Sequence, residues 1–277
     1  MIKRALIIDG SSMIHRCFHS VNTKENNLSS EKLRENFFSL FSYQLRKLIN
    51  LNKYIFGLLA FDIDRKSFRT EILPSYKDQR PPMPQELLDW FPEILEKSKA
   101  IGINYAFAPK GFEADDLIGT VSKQLAKADY RVDIVSTDKD LLQLVDYLIS
   151  MFRVKSSFQL EVNNHMNFAE LNEGLLPLQI PLFKALSGDS SDNYSGIPGI
   201  GEKNANKLVK EYQTKERLVS SLSKLPEGKI KRSLQENLET LDKCLKLSTI
   251  QTEIKFKYSL SDFTLSVENN SRIRKSN

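Results

Sequence analysis

Short apolar runs alternate along the chain with longer stretches of helical spacing. Runs with β-branched or aromatic content fall at 4–8 (RALII), 54–61 (YIFGLLAF), 132–136 (VDIVS) and 148–152 (LISMF), and residues of these types suit a pleated, buried surface. Between them, 31–50, 85–100 and 113–128 repeat apolar residues at helical intervals. In the last of these, Leu117, Ile118, Val121, Leu125 and Ala128 line one stripe. Such alternation predicts an α/β domain with a mainly parallel central sheet flanked by helices, a class in which ligands sit at the carboxyl edge of the strands.

After about residue 177 the strand signal fades. PLQIPLFKALSGD, GEKNANKLVKEY and GKIKRSLQENLETLDKCLKL follow as helical patterns. The expected organisation is an α/β core over 1–176, a helical lobe over 177–250 and a weakly patterned tail over 251–277. The polar end of that tail, NNSRIRKSN, is expected to fray. There is no repeat and no low-complexity stretch.

Length and composition, 277 residues with 40% hydrophobic, allow a sizeable core and argue against disorder. There is no apolar run of membrane-spanning length, and MIKRALIIDG leads into a strand pattern instead of a signal peptide, so a cytoplasmic protein is expected. Cys17 and Cys244 lie far apart without CxxC spacing, which predicts two buried, reduced thiols and neither a disulfide framework nor a cysteine zinc site. The net charge of +5 is unevenly spread: residues 196–277 hold 16 Lys/Arg against 10 Asp/Glu, leaving 24 against 25 in residues 1–195. A basic late lobe beside a body with clustered acids suits a polyanionic partner.

The acids fall at particular places. Asp9 ends the first predicted strand and Asp62 the second; Asp138 and Asp140 follow VDIVST. Glu113, Asp115 and Asp116 open a helix in GFEADDLIGT, and Asp189 and Asp192 lie three apart in SGDSSDN. One or two acids in a first helical turn are favoured by the helix dipole alone. Nine carboxylates converging on one sheet edge would repel one another strongly, which raised pKa values or divalent cations could relieve. Ligation by oxygen alone points to Mg²⁺, with Mn²⁺ as substitute, and a pair of such ions roughly 3.5–4 Å apart can activate water and stabilise a leaving oxygen. His15 and His19 are spaced i, i+4, but HExxH is absent and His165 is remote, so packing or surface roles are expected for all three.

Two segments could hold nucleic acid. Residues 65–84 interleave Arg65, Lys66, Arg69, Lys77 and Arg80 with Tyr76, a mixture that suits backbone contacts with base stacking. Further on, Gly196, Gly199 and Gly201 precede a helix carrying Lys203, Lys207 and Lys210, an arrangement that exposes backbone N–H groups to a phosphate in the manner of a helix-hairpin-helix.

With these residues in view, the chain resembles the 5′-nuclease family, which contains flap endonucleases, phage 5′→3′ exonucleases and the amino-terminal nuclease domain of bacterial DNA polymerase I. The resemblance rests on IIDGSSMIHR (7–16), FD (61–62), FRTEILPSYKDQRPPMP (68–84), GFEADDLIGT (111–120), STDKDLLQLV (136–145) and LSGDSSDNYSGIPGIGEKNANKLV (186–209). It implies a PIN-like core with a helical arch over about 65–100 and a helix-hairpin-helix lobe. It also implies a metal-dependent nuclease that cuts near a free 5′ end or flap in DNA, or in an RNA–DNA hybrid, leaving a 5′-phosphate.

By the same resemblance Asp9, Asp62, Glu113, Asp115 and Asp116 form the first metal cluster. Asp138, Asp140, Asp189 and Asp192 extend towards the second, and Asp9, Asp115 and Asp138 are the acids expected to matter most for catalysis. Lys77 and Arg80 match the basic pair at the base of the arch, Tyr76 the stacking residue beside them, and Arg16 a basic position after the first Asp. The glycines would hold a K⁺ ion shared with duplex phosphates. A monomer is expected. The wording lies nearest the polymerase-associated branch, yet no polymerase sequence follows, so a free-standing protein and an excised domain both fit. Two rival readings are a nucleic-acid clamp without turnover and a PIN-type ribonuclease. The glycine hairpin and the basic 65–84 segment speak against the ribonuclease.

Overall fold

The computed structural model describes residues 2–23 and 29–265; the NNSRIRKSN terminus lies outside them. Six strands, β1 (Lys3–Asp9), β2 (Phe56–Phe61), β3 (Asn104–Phe107), β4 (Tyr130–Ser136), β5 (Ile149–Val154) and β6 (Leu160–Asn163), form one sheet in the order β3-β2-β1-β4-β5-β6. Every neighbouring pair is parallel except β5 with β6. Because successive side chains point to opposite faces, β1 sends Ala5 and Ile7 to one core and Leu6 and Ile8 to the other. Both faces are therefore covered, which is why β1 and β2 read as unbroken apolar runs and not as alternating ones.

On one face lie α1 (Gly10–Val21), α2 (Ser30–Ile49) and α4 (Gln85–Ile101). Trp90 of α4 packs its ring 5.3 Å from that of Phe37 on α2. The other face is covered by α5 (Ala114–Lys127) and by the carboxyl-terminal helices. α4 stops at Gly102, whose φ of 108° is the left-handed conformation that glycine adopts without strain. The segment expected to form the arch, 65–100, consists of the short α3 (Phe68–Ile72), a turn pinned to the loop 189–193, and α4.

Beyond α6 (Phe168–Leu171) come α7 (Ile180–Ser187), α8 (Glu202–Tyr212), α9 (Lys215–Ser220), α10 (Lys229–Glu236) and α11 (Leu238–Ser248). α11 buries Leu241, Cys244 and Leu247. Both cysteines, Cys17 on α1 and Cys244 on α11, are buried free thiols. Among the described residues no helix is long and apolar enough to cross a membrane.

The weakly patterned tail has packing roles in its described part. Residues 250–265 fold back on the core: Ile250, Ile254, Phe263 and Leu265 are buried, Leu265 N donates to Ile55 O at 3.0 Å, and Thr264 bridges Phe56 at the start of β2. The pattern is weak because these apolar residues are anchored singly, at irregular spacing, and not along one face of an element.

Candidate metal and nucleic-acid site

The chain order reverses at β1, since β2 and β3 extend the sheet to one side and β4 to the other. In open parallel sheets this switch point leaves a crevice at the carboxyl edge. The acids gather there. Asp9 is the last residue of β1, Asp62 follows β2, Glu113 precedes α5 after β3, and Asp138 follows β4.

Local bonds fix their directions. Asp9 caps α1 by accepting from Ser12 N at 2.9 Å and accepts from the Ser136 hydroxyl at 2.6 Å. Asp62 accepts from Ala114 N at 2.7 Å and from the Ser11 hydroxyl at 3.1 Å, so the end of β2 is tied to the start of α5. Burial pushes the Asp9 carboxyl up to about 6 despite the Ser12 and Ser136 bonds, with the charges of Asp138 and Asp62 adding to the rise. Asp62 is raised by burial and by Glu113. Asp115 is held well above the ordinary carboxylate range by burial and by Asp138, Asp9 and Glu113, against the opposing pull of Lys77.

The three acids of GFEADDL separate into three environments. Asp115 faces Asp138 and Asp9, whose charges oppose its ionisation. Glu113 takes the Lys77 ammonium at 2.7 Å and the Ser67 hydroxyl at 2.7 Å. Its own burial would raise the carboxyl, but Lys77 and Arg69 outweigh that and hold it below the usual value. Asp116 points away. It is fully buried, pairs with both terminal nitrogens of Arg69 at 2.9 Å, and accepts from Glu113 N and Gln251 N. Its acceptor positions are filled by the protein, so the expected metal role does not fit Asp116: it is the counter-ion of a buried arginine.

A second group adjoins the first. One oxygen each of Asp140, Asp189 and Asp192 lies within 4.8 Å of the others. Asp138 Oδ1 accepts from Asp140 N at 2.9 Å, which joins this group to the end of β4. Asp192 accepts from the Tyr76 hydroxyl at 2.9 Å and from Arg80 at 2.6 Å. Lys184, on α7, contacts Asp140 and lies 2.6 Å from Asp189. Burial would raise Asp189, but the bonds from Lys184 and Ser191 carry it down to about 2. Sequence reasoning missed Lys184, although a lone lysine in the apolar IPLFKALS was a visible signal; the serines that hold the acids, Ser12, Ser67 and Ser136, carried none. The donors of both groups are carboxylate oxygens, crowded and in part raised by one another. That chemistry fits a hard cation.

The predicted nucleic-acid residues divide similarly. Lys77 and Arg80 lie at the acidic crevice. Arg69 and Tyr76 are only 2% and 4% exposed. Arg69 is therefore not free to grip a backbone, and Tyr76, with its ring beneath the Lys77 ammonium at 4.9 Å, is not free to stack on a base. Arg16 donates to Gln44 at 2.8 Å and sits over the Phe158 ring. His15 and His19 stack on each other and His165 lies against Tyr147.

The hairpin joins α7 to α8. Gly196 packs so closely that a Cβ there would meet Leu186 O at 2.3 Å, whereas Gly199, at φ +77°, faces open space with Gly201. A groove of about 570 Å³ lined by Ser187 and residues 195–201 opens at this turn. Lys203, Lys207 and Lys210 are exposed on α8.

Two family models match the chain: the 5′-3′ exonuclease N-terminal resolvase-like domain over residues 4–173, and the 5′-3′ exonuclease C-terminal SAM fold over 175–271. The 5′-3′ exonuclease of Mycoplasma pneumoniae is 34% identical over 256 residues, covering 92% of this chain and 87% of that one. DNA polymerase I of Bacillus caldotenax is 31% identical over 274 residues, which are 99% of this chain and 31% of the polymerase. Among solved structures, the bacteriophage T5 flap endonuclease in a pseudo-enzyme–product complex with DNA and metal ions shares the fold, with a TM-score of 0.71, 23% identity and 90% coverage of each chain. With the two models spanning nearly the whole sequence, and the crevice acids and the glycine hairpin all inside them, the chain belongs to the 5′-3′ exonuclease family.

Proposed function

We propose that this 5′-3′ exonuclease is a metal-dependent enzyme that also cuts 5′ flaps, hydrolysing phosphodiester bonds of DNA, and of RNA in RNA–DNA hybrids, during replication or repair. The reading is carried by one observation: Asp9, Asp62, Glu113, Asp115 and Asp138 meet Lys77 and Arg80 at a single sheet edge. The T5 flap endonuclease, with the same fold, binds DNA and metal ions. Asp9, Asp62, Glu113, Asp115 and Asp138 would hold one Mg²⁺, and Asp140, Asp189 and Asp192 would help to hold a second, with Mn²⁺ as substitute. Such ions supply an activated water and neutralise charge on the phosphodiester.

The chain's own cations complete the site. Lys77 stays protonated: burial disfavours its ammonium, but Glu113, Asp192 and Asp115 outweigh that and raise it well above the ordinary lysine value. Arg80 is likewise raised, by Asp192 and Asp138, against the effect of its burial. Both are aimed by their acidic partners at the crevice, where charge builds on the cleaved phosphate. Glu113 orients Lys77, and Asp192 orients Arg80. About the hairpin, the main chain of 196–201 would hold K⁺ against duplex phosphates, with Lys203 and Lys207 gripping the backbone beyond. The protein would act as a cytoplasmic monomer.

A 5′-labelled flap, incubated with Mg²⁺ and with EDTA, tests this function. Cleavage should require the metal and vanish in Asp115→Asn and Asp138→Asn while both variants still bind the flap. Undiminished cleavage in both would remove the assignment, and a flap that is bound but never cut would make the protein a clamp. Affinity for duplex DNA compared in K⁺ and in Na⁺ tests the hairpin ion.

A further inference from the structure

We infer that Lys184 is an internal cation occupying the second acidic group, and that it competes with a divalent ion for the same oxygens, so that it sets the metal affinity of that position. The inference rests on the proposed second metal site. Asp140 comes from the core, just after β4, and Asp189 from the loop after α7, so the two belong to different lobes. Where the oxygens of Asp140, Asp189 and Asp192 close to within 4.8 Å, mutual repulsion calls for positive charge. Lys184 meets that need: its ammonium touches Asp140 and Asp189 together, with the side chain only 15% exposed.

Its position is built in. Gly188 N closes the end of α7 onto Lys184 O at 2.8 Å, and the loop that follows is locked because a Cβ on Gly188 would meet Gly196 N at 2.4 Å. Asp189 is also fixed from its other side, where Oδ1 accepts from Ser191 N at 2.8 Å and from the Ser191 hydroxyl at 2.6 Å. Asp192 is fixed by Tyr76 and Arg80. Asp189 and Asp192 are therefore held by partners other than the lysine. Lysine is suited to yield, since its ammonium is a point charge on a flexible four-carbon stem and makes no bidentate fork. A divalent ion entering the group takes over oxygens that Nζ now holds, and the lysine swings away.

Mn²⁺ titrated into the metal-free full-length protein, followed by calorimetry and by electron paramagnetic resonance, tests the competition. Lys184→Met should bind Mn²⁺ at one class of site on the order of tenfold more tightly, the size of effect that one neighbouring charge exerts on a partly solvated site. Lys184→Gln, which keeps a hydrogen-bond donor towards the carboxylates, should show the same direction even if the methionine variant folds poorly without metal. Lys184→Arg should bind no more tightly than wild type. Asp189→Asn should lose that class altogether. Unchanged or weaker Mn²⁺ binding in Lys184→Met and Lys184→Gln, with the class still lost in Asp189→Asn, overturns the competition and leaves the site standing. Full retention of the class in Asp189→Asn overturns the site and the competition together.

Discussion

Arg69 and Asp116 are joined by two N–H···O bonds of 2.9 Å, with both side chains almost wholly removed from water. Two further Arg69 donors reach Leu247 O at 2.8 Å and Thr249 O at 3.1 Å, while Asp116 accepts from Gln251 N and Glu113 N. One ion pair thus ties α3, the first turn of α5 and the chain leaving α11. The carboxylate of Asp116 shapes the site by holding the helix that presents Glu113 and Asp115.

Removing one member of this pair strands a buried charge. Asp116→Asn and Arg69→Met should each lose about 3–5 kcal/mol of unfolding free energy, the cost typical of an unpaired buried ion. The double variant Arg69→Met with Asp116→Asn should lose clearly less than the sum. Urea unfolding of the four proteins gives the coupling directly, and additive losses would refute the pairing.

The raised carboxylates predict a pH dependence of the metal-free protein. Asp9 rises from 3.8 to about 6 on folding, so the native state takes up its proton first. Its contribution to stability is complete below pH 3.8 and is lost as pH climbs through about 6, a swing of about 3 kcal/mol. In EDTA, Asp9→Asn should therefore gain stability relative to wild type as pH rises from 4 to 6.5, and hold that gain above it. A difference that stays flat across this window would show that Asp9 ionises freely in the folded protein.

Lys77 donates to Glu113 at 2.7 Å and keeps its positive charge at the crevice. A cation that meets charge developing on a phosphate acts mainly in the transition state. Lys77→Ala should lower kcat by about 10²–10³ while changing flap affinity only a few-fold. If Kd rose in step with the loss of rate, Lys77 would be an ordinary backbone contact.

Much of the fold is legible because burial on both sheet faces leaves long apolar runs. β3 is hidden by its length and place: NYAF is four residues long and comes directly after the helical 85–100 pattern, with only Ile101, Gly102 and Ile103 between, and only its pairing with β2 makes it a strand. α1 is hidden by its Gly-Ser-Ser opening, which favours a turn until Asp9 caps it and Met13, Ile14, Cys17 and Phe18 pack below. Within the site, Asp9, Asp62 and Asp138 are readable as acids that end strands. Asp116 is not separable from them by pattern, since its role depends on Arg69, 47 positions earlier. Arg69 and Tyr76 look like surface groups in a linear basic segment, and only the folding of that segment onto 113–116 and 192 buries them.

The glycine hairpin predicts a separable electrostatic contribution. Lys203 and Lys207 stand one helical turn apart on the exposed side of α8, just after the turn containing Gly199 and Gly201. If both meet phosphates, each alanine substitution should weaken DNA binding for every sequence alike and reduce the slope of log Kobs against log salt by about 1. Lys53, exposed before β2 at the opposite edge of the sheet, serves as the control and should leave the slope unchanged when replaced by alanine. Fluorescence anisotropy of a labelled duplex between low and moderate salt measures all three. Cleavage at saturating DNA should stay within a few-fold of wild type, because neither lysine is among the partners of the crevice acids. Equal slopes for all variants would move the DNA off this helix, and would leave the basic surplus of the late lobe without a partner.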